Sequence, residues 1–324
     1  MKVAKFGGSS VAGAEQFKKV KAIVEADPER RVVVVSAAGK RNADDHKLTD
    51  LLYLCHAHLN YGVSCSDIFN TIEHRLTEIR DKLGLSYDVE SELKELERTL
   101  SKDTPVDLLV SRGEYFTSKL MAEYLGYTFV DAADCVIFSF DGSIDYERSY
   151  ALIAEAAEKY GRIVIPGFYG RVSTGKIKVM TRGGSDITGS LAAVAVNADV
   201  YENWTDVSGI LMADPRIVDN PEPIKKITYA ELRELAFMGA TVLHEESVQP
   251  VREKGIPLNI RNTNRPQDPG TMIVGNIDRE NSDDRFITGI AGRKNFTIIT
   301  LQKHDMHTSH SLRQALEVFE RYHR

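Results

Sequence analysis

The sequence predicts an α/β protein: a three-layer, doubly wound, mainly parallel sheet with helices on both faces. Short apolar strands alternate with amphipathic helices along most of the 324 residues. The run 32–35, four consecutive valines, suits a parallel strand buried on both faces. Gly7-Gly8 and Gly183-Gly184 each separate a strand-like run from a helix-like one, at the carboxyl ends where open α/β sheets bind ligands.

The first strand is residues 2–6, where Val3 and Lys5 alternate with Ala4 and Phe6. Gly7 and Gly8 end it and bare backbone N–H groups for an anion, with Ser9 or Ser10 expected to cap the next helix. Lys5 would aim its ammonium at the same spot, and phosphate is the obvious anion. The order differs from a Walker loop, whose lysine follows the glycines. Phe17, Val20, Ile23 and Val24 mark the first helix, and strand 32–35 runs into Ser36-Ala-Ala-Gly39. Residues 40–47 are charged and aperiodic, a candidate mobile loop, and Thr49 falls in the first turn of the following helix.

Residues 68–83 and 89–100 carry apolar positions every three or four residues, two amphipathic helices. His56 and His58 cannot share a helical face, so no metal site is expected there. Residues 106–110 lead into Ser111-Arg-Gly-Glu-Tyr115 and a helix carrying Phe116, Leu120 and Met121, with Glu114 near its start as a helix-dipole carboxylate. A strand at 129–131, a helix at 150–160 and a strand at 162–165 follow.

In the second glycine turn, Thr181 to Asp186, Ser185 is a natural N-cap and Arg182 offers a planar fork for a carboxylate or phosphate. Asp186, beside this positive potential, suits orienting Lys5 or a metal-bound phosphate, or simply complementing the helix N-terminus. Strand 200–204 precedes Thr205-Asp206 and Asp214-Pro-Arg216, which suit either a nucleotide grip or a turn built on Asp-Pro. Helices at 228–238 and 244–254, a strand at 257–260 and sheet residues at 271–274 complete the first region. The expected division is 1–275, a polar linker at 276–285, and 286–324 as an incomplete α+β segment with one strand and one helix.

Net charge is −6 with 27% charged residues, which favours neither nucleic acid nor an anionic membrane. Three cysteines without a CxxC pair, and no apolar run of membrane length, lead to the expectation of a cytoplasmic protein. No G-x-G-x-x-G after a strand, H-E-x-x-H or G-x-S-x-G occurs.

Lys5-Phe-Gly-Gly-Ser-Ser-Val11, Ser36-Ala-Ala-Gly39, Gly113-Glu114, Arg182-Gly-Gly-Ser-Asp186, Trp204-Thr-Asp-Val207, Asp214-Pro-Arg216 and Gly239-Ala-Thr-Val-Leu-His244 stand in the order seen in aspartokinases, which this sequence resembles. The resemblance implies an amino-acid kinase-like fold, with 286–324 as the beginning of an ACT-like regulatory region. It also implies ATP- and Mg2+-dependent phosphorylation of the β-carboxylate of L-aspartate. By the same resemblance Lys5, with the amides of Gly7, Gly8 and Ser9, holds the transferring phosphoryl group, and Asp186 organises the reacting centre. Arg182 takes the substrate's α-carboxylate and Glu114 its ammonium, and Ser36, Thr49, Gly184 and Ser185 line the pocket. Thr205, Asp206, Asp214 and Arg216 fall on the nucleotide side; no protein metal cage is implied, and a homo-oligomer is a further expectation. The sequence departs from the family at Thr241, where lysine is common. Alternatives are another amino-acid kinase, such as one acting on glutamate, and a nucleotide- or amino-acid-binding regulator without turnover.

Overall fold

The computed structural model describes residues 1–181, 183–237, 243, 245–277, 287–292, 313, 316–318 and 321. Met1–Ala291 forms one compact unit and Gly292–Arg324 a second. The expected linker, apart from 276 and 277, and most of the expected ACT-like segment lie outside the described residues. Just before the division, the Ile290 amide donates to the Met212 carbonyl at 2.7 Å and the Thr288 hydroxyl to Glu231 at 2.8 Å.

In chain order the first unit comprises β1 (Lys2–Phe6), α1 (Ala14–Glu25), β2 (Arg30–Val35), α2 (Leu48–Asn60), α3 (Ser66–Leu83), α4 (Val89–Thr99) and α5 (Val106–Leu125). It continues with β3 (Thr128–Phe129), α6 (Ala132–Cys135), β4 (Ile137–Phe138), α7 (Tyr146–Tyr160), β5 (Ile163–Pro166), β6 (Tyr169–Val172) and β7 (Ile177–Val179). Then come α8 (Gly184–Ala195), β8 (Val200–Thr205), β9 (Lys226–Thr228), α9 (Tyr229–Phe237), α10 (Gln249–Glu253), β10 (Leu258–Asn262) and β11 (Thr271–Val274).

Eight strands form one sheet in the order β3-β5-β2-β1-β8-β10-β11-β9, and every pair is parallel except β10–β11. A second sheet, β4-β6-β7, was not expected from the sequence. One of its three strands is only two residues long, too short to show a period. Two apolar cores sandwich the large sheet. On one face Val3, Val32, Val34, Leu191 and Tyr201 pack with α7 and α8. On the other, Ala4, Phe6, Val33, Val35 and Trp204 pack against side chains of α1 to α5 such as Phe17, Leu52, Ile72 and Leu120. This is the predicted doubly wound, three-layer architecture.

Three local expectations change. Residues 106–115 are not an approach to a helix but its first half, because α5 runs unbroken from Val106 and puts Glu114 mid-helix. Neither Ser9 nor Ser10 caps α1, whose N-cap is Gly13, since a 3-10 turn over Gly8–Val11 intervenes. Ser185 does not cap α8 either: the cap is Gly183, whose φ of 58° turns the chain in the left-handed region and leaves Ser185 inside the first turn.

Candidate active site

The site forms at the carboxyl ends of β1 and β8, where the order of strands reverses and a crevice opens between diverging connections. The parallel register pairs Lys5 with Asn203 and Phe6 with Trp204. Alternation sends Lys5 and Asn203 to the face covered by α8, whose first turn carries Asp186. There Lys5 Nζ stands 2.6 Å from Asp186 Oδ1 with the lysine side chain only 9% exposed. Asn203 Nδ2 donates to the same Oδ1 at 2.9 Å, and Lys5 Nζ donates to Asn203 Oδ1 at 3.4 Å. The Tyr201 hydroxyl, two residues back on the same face, donates to the Asp186 carbonyl at 3.2 Å. An ion pair this enclosed needs further hydrogen bonds, and Asn203 supplies one to each member.

The two glycine-containing turns after β1 and β2 lock together. The Gly39 amide donates to the Gly8 carbonyl at 2.9 Å, and a Cβ on Gly39 would lie 2.6 Å from the Gly8 carbonyl carbon. Only a bare backbone passes there. The Gly7 amide, expected to face a ligand, instead continues the β1–β8 ladder by donating to the Trp204 carbonyl at 2.9 Å. The Ser36 amide is held similarly by the Phe6 carbonyl at 3.1 Å. Ser10 faces inward, its hydroxyl 2.7 Å from that of Thr263.

Glu114 is 5% exposed on α5, with no hydrogen-bond partner for Oε2. Burial pushes its carboxyl up to about 8, opposed only by the Ala37 amide and its own. At Gly113, an added Cβ would lie 3.0 Å from the Ala37 side chain and 3.7 Å from the Thr49 hydroxyl. Ala37 of turn 36–39, Thr49 and the Gly113–Glu114 step of α5 therefore lie together. The charged stretch 40–47 leaves this cluster intact because Leu48 returns to donate its amide to the Ala38 carbonyl at 3.1 Å.

That stretch is not the loose loop its composition suggests. Arg75, 2% exposed on α3, donates to the carbonyls of Gly39 (2.6 Å) and His46 and lies 3.5 Å from Asp45. Arg41 further ties Asp45 at 2.8 Å and Glu78 at 2.8 Å. Arg75 clamps both ends of the segment together. Its signal in the sequence is a cation on the apolar stripe of a helix, between Ile72 and Leu76.

Ser185 is buried in the first turn of α8, and its Oγ would stand 2.5 Å from a Cβ on Gly167, so that turn packs directly on the end of β5. Between them Phe168 holds φ at 79°, with its amide donating to the Thr188 hydroxyl at 3.2 Å. A non-glycine residue in this region is strained and needs such fixing. Gly184 lies against Phe168 and Met180. Arg182, Thr241 and His244 lie outside the described residues.

On the β8 and β10 side, the Thr205 hydroxyl donates to Asp206 Oδ1 at 3.2 Å, and the Asp206 carbonyl accepts from Asn262 at 3.2 Å. Asp214 and Arg216 do not reach into this cluster as a pair of separate grips. They bind each other at 2.6 Å in a solvent-facing turn, with the Arg216 side chain 85% exposed. The geometry matches the Asp-Pro turn weighed from the sequence. Among the described residues no group of three or more His, Cys, Asp or Glu could cage a metal ion.

Residues 1–262 match the Amino acid kinase family. The chain is 36% identical to aspartokinase 3 of Bacillus subtilis over 99% of its own length and 74% of that protein's. Among solved structures it is similar to the aspartate kinase of Clostridium acetobutylicum, with a TM-score of 0.83 and 48% identity over 90% of this chain and 66% of that one. Escherichia coli aspartokinase III, solved in complex with aspartate and ADP, gives a TM-score of 0.75 at 27% identity, covering 86% of this chain and 65% of that one. The chain thus spans about two thirds of the two crystallised relatives.

Proposed function

The chain belongs to the amino acid kinase family, among its aspartokinases, and we propose that it transfers the γ-phosphoryl group of ATP to the β-carboxylate of L-aspartate. The product is 4-phospho-L-aspartate, the entry to lysine, threonine and methionine synthesis. The observation that supports this most is the enclosed Lys5–Asp186 pair, 2.6 Å apart at the mouth of interlocked glycine turns.

The reaction asks little covalent chemistry of the protein. The acceptor carboxylate is already ionised at neutral pH, so one of its oxygens attacks phosphorus in line and the bond to the β-phosphate oxygen breaks. No general base is required. Charge crowding is the obstacle, because an anion approaches a polyanion, and a fixed cation facing the transferring group lowers that barrier. Lys5 supplies it, held by Asp186 so that no reorganisation is needed during transfer. The Gly8 and Ser9 amides add donors beside it. A magnesium ion arriving with the nucleotide would add further charge neutralisation.

The acceptor is held by groups matched to an amino acid. Glu114 offers its unpartnered carboxyl oxygen to the ammonium, Arg182 takes the α-carboxylate, and Ser36, Thr49, Gly184 and Ser185 shape the pocket. Thr205 and Asp206 lie on the nucleotide side; Asp214 and Arg216 contribute through their turn. Homo-oligomerisation belongs to this reading as an expectation from the family. ADP release in the presence of magnesium, ATP and L-aspartate tests the assignment, with L-glutamate as control. Turnover with aspartate alone supports it, and equal or greater turnover with glutamate overturns the choice of acceptor.

A further inference from the structure

Asn203 was not visible as a functional residue in the sequence, yet it touches both members of the central ion pair. Its amide has one orientation that satisfies its surroundings. The NH2 group must face Asp186 Oδ1, an acceptor at 2.9 Å, and the carbonyl must face the Lys5 ammonium at 3.4 Å. Flipping the amide would set like groups against each other at both ends. The residue is 4% exposed, so water cannot substitute for either contact. Asp186 Oδ1 therefore receives two donors, Lys5 and Asn203, while Oδ2 turns towards Gly183, 3.7 Å from where a Cβ there would stand. The β1–β8 register fixes Asn203 opposite Lys5, so the bridge is built into the sheet rather than into a loop.

We propose that Asn203 is a positioning residue for phosphoryl transfer: its side-chain amide bridges Lys5 and Asp186 and locks the Asp186 carboxylate in the rotamer that aims the lysine at the transferring group. The inference rests on the kinase reading above. An amide suits this place for a reason that a carboxylate or an alkyl group does not share. A leucine would leave Oδ1 short of one donor and free the carboxylate to rotate. An aspartate would put two carboxylates within 2.9 Å, the distance now spanned by the amide. Such a pair retains a proton between its members, and that proton reproduces the missing donor only while it is bound.

The test uses the full chain with magnesium, ATP and L-aspartate from pH 6 to 9, comparing the parent with N203L and N203D. For N203L the expected result is a kcat lower by about 10- to 100-fold with the aspartate KM unchanged within about twofold, the pattern of a misplaced catalytic group. For N203D, kcat approaches the parent's at the acid end and falls as pH rises, an ionisation absent from the parent's kcat. A crystal structure of N203L should show the Asp186 carboxylate rotated from Lys5. The proposal is overturned if N203L keeps its kcat within twofold, if N203D follows the parent's pH profile, or if Asp186 keeps its place in N203L. Should the parent itself fail to turn over aspartate, the acceptor reading falls, and the N203L structure still decides the positioning claim.

Discussion

At the scale of single residues, two side chains carry most of the proposed chemistry and behave oppositely. Lys5 is a cation already paired, so its replacement removes a positioned charge and also leaves the Asp186 carboxylate without its partner. Lys5→Ala should lower kcat by roughly 10³-fold, the order seen when one transition-state donor is lost, while nucleotide binding measured by calorimetry persists. Glu114 is a carboxyl kept from water, raised from its ordinary 4.5 to about 8. The folded state thus holds this proton more tightly than the unfolded chain. Its contribution to stability is complete below about pH 4.5 and is lost as pH rises to 8. Urea midpoints of the parent and Glu114→Gln should diverge over that window, the glutamine variant becoming relatively more stable with pH; parallel curves would contradict the assignment. Aspartate binding, which needs the ionised form, should release a proton, so its KM should fall as pH approaches 8 and lose that slope in Glu114→Gln. Lys5 and Asp186 drew attention because each stands two residues from a glycine pair, whereas Glu114 read as a helix-dipole carboxylate until the family resemblance gave it a role. Asn203 was not, for it meets Lys5 across 198 positions of sequence, and only the parallel register joins them. A polar residue beside Glu202 within strand 200–204 was the available signal.

At the scale of elements, local periodicity located most strands and helices, missed the short strands of the second sheet, and misplaced helix starts. Serines after glycines read as caps, but the structure turns the chain by glycine and 3-10 geometry instead, leaving Ser10 and Ser185 free to pack. Glu114 was placed near a helix start because residues 106–110, with Asp107 as their one polar side chain, are too few to show a helical period. The segment 40–47 misled by composition: most of its charges are exposed as they read, but Arg75 gathers Asp45 and the carbonyls of Gly39 and His46 and so fixes the backbone. Arg75→Met should cost about 2–4 kcal/mol in urea unfolding, by leaving Asp45 and two carbonyls without their buried donor. It should also expose residues 40–47 to limited proteolysis. Unchanged stability and protection would mean the clamp is idle. Gly39→Ala, which drives a methyl into the Gly8 backbone, should depress kcat more than Arg75→Met does, because it parts the two turns proposed to face the phosphates.

At the scale of the whole molecule, the alternation of strands and helices was enough for the fold class, but not for strand order. That order matters, because placing β1 between β2 and β8 makes the reversal point coincide with Lys5. Long-range pairing of this kind leaves no local trace. The compact unit Met1–Ala291 closes on itself through the contacts of Thr288 and Ile290. The central claim is that this unit phosphorylates a carboxylate using Lys5 as the fixed cation. Hydroxylamine trapping tests it directly, since an acyl phosphate yields a hydroxamate whereas simple ATP hydrolysis does not. The parent and Lys5→Ala are compared with magnesium, ATP and L-aspartate. Aspartyl hydroxamate formed in step with ADP by the parent, and reduced about a thousandfold in the variant, is the predicted result. ADP without hydroxamate, or equal hydroxamate from both proteins, would contradict it.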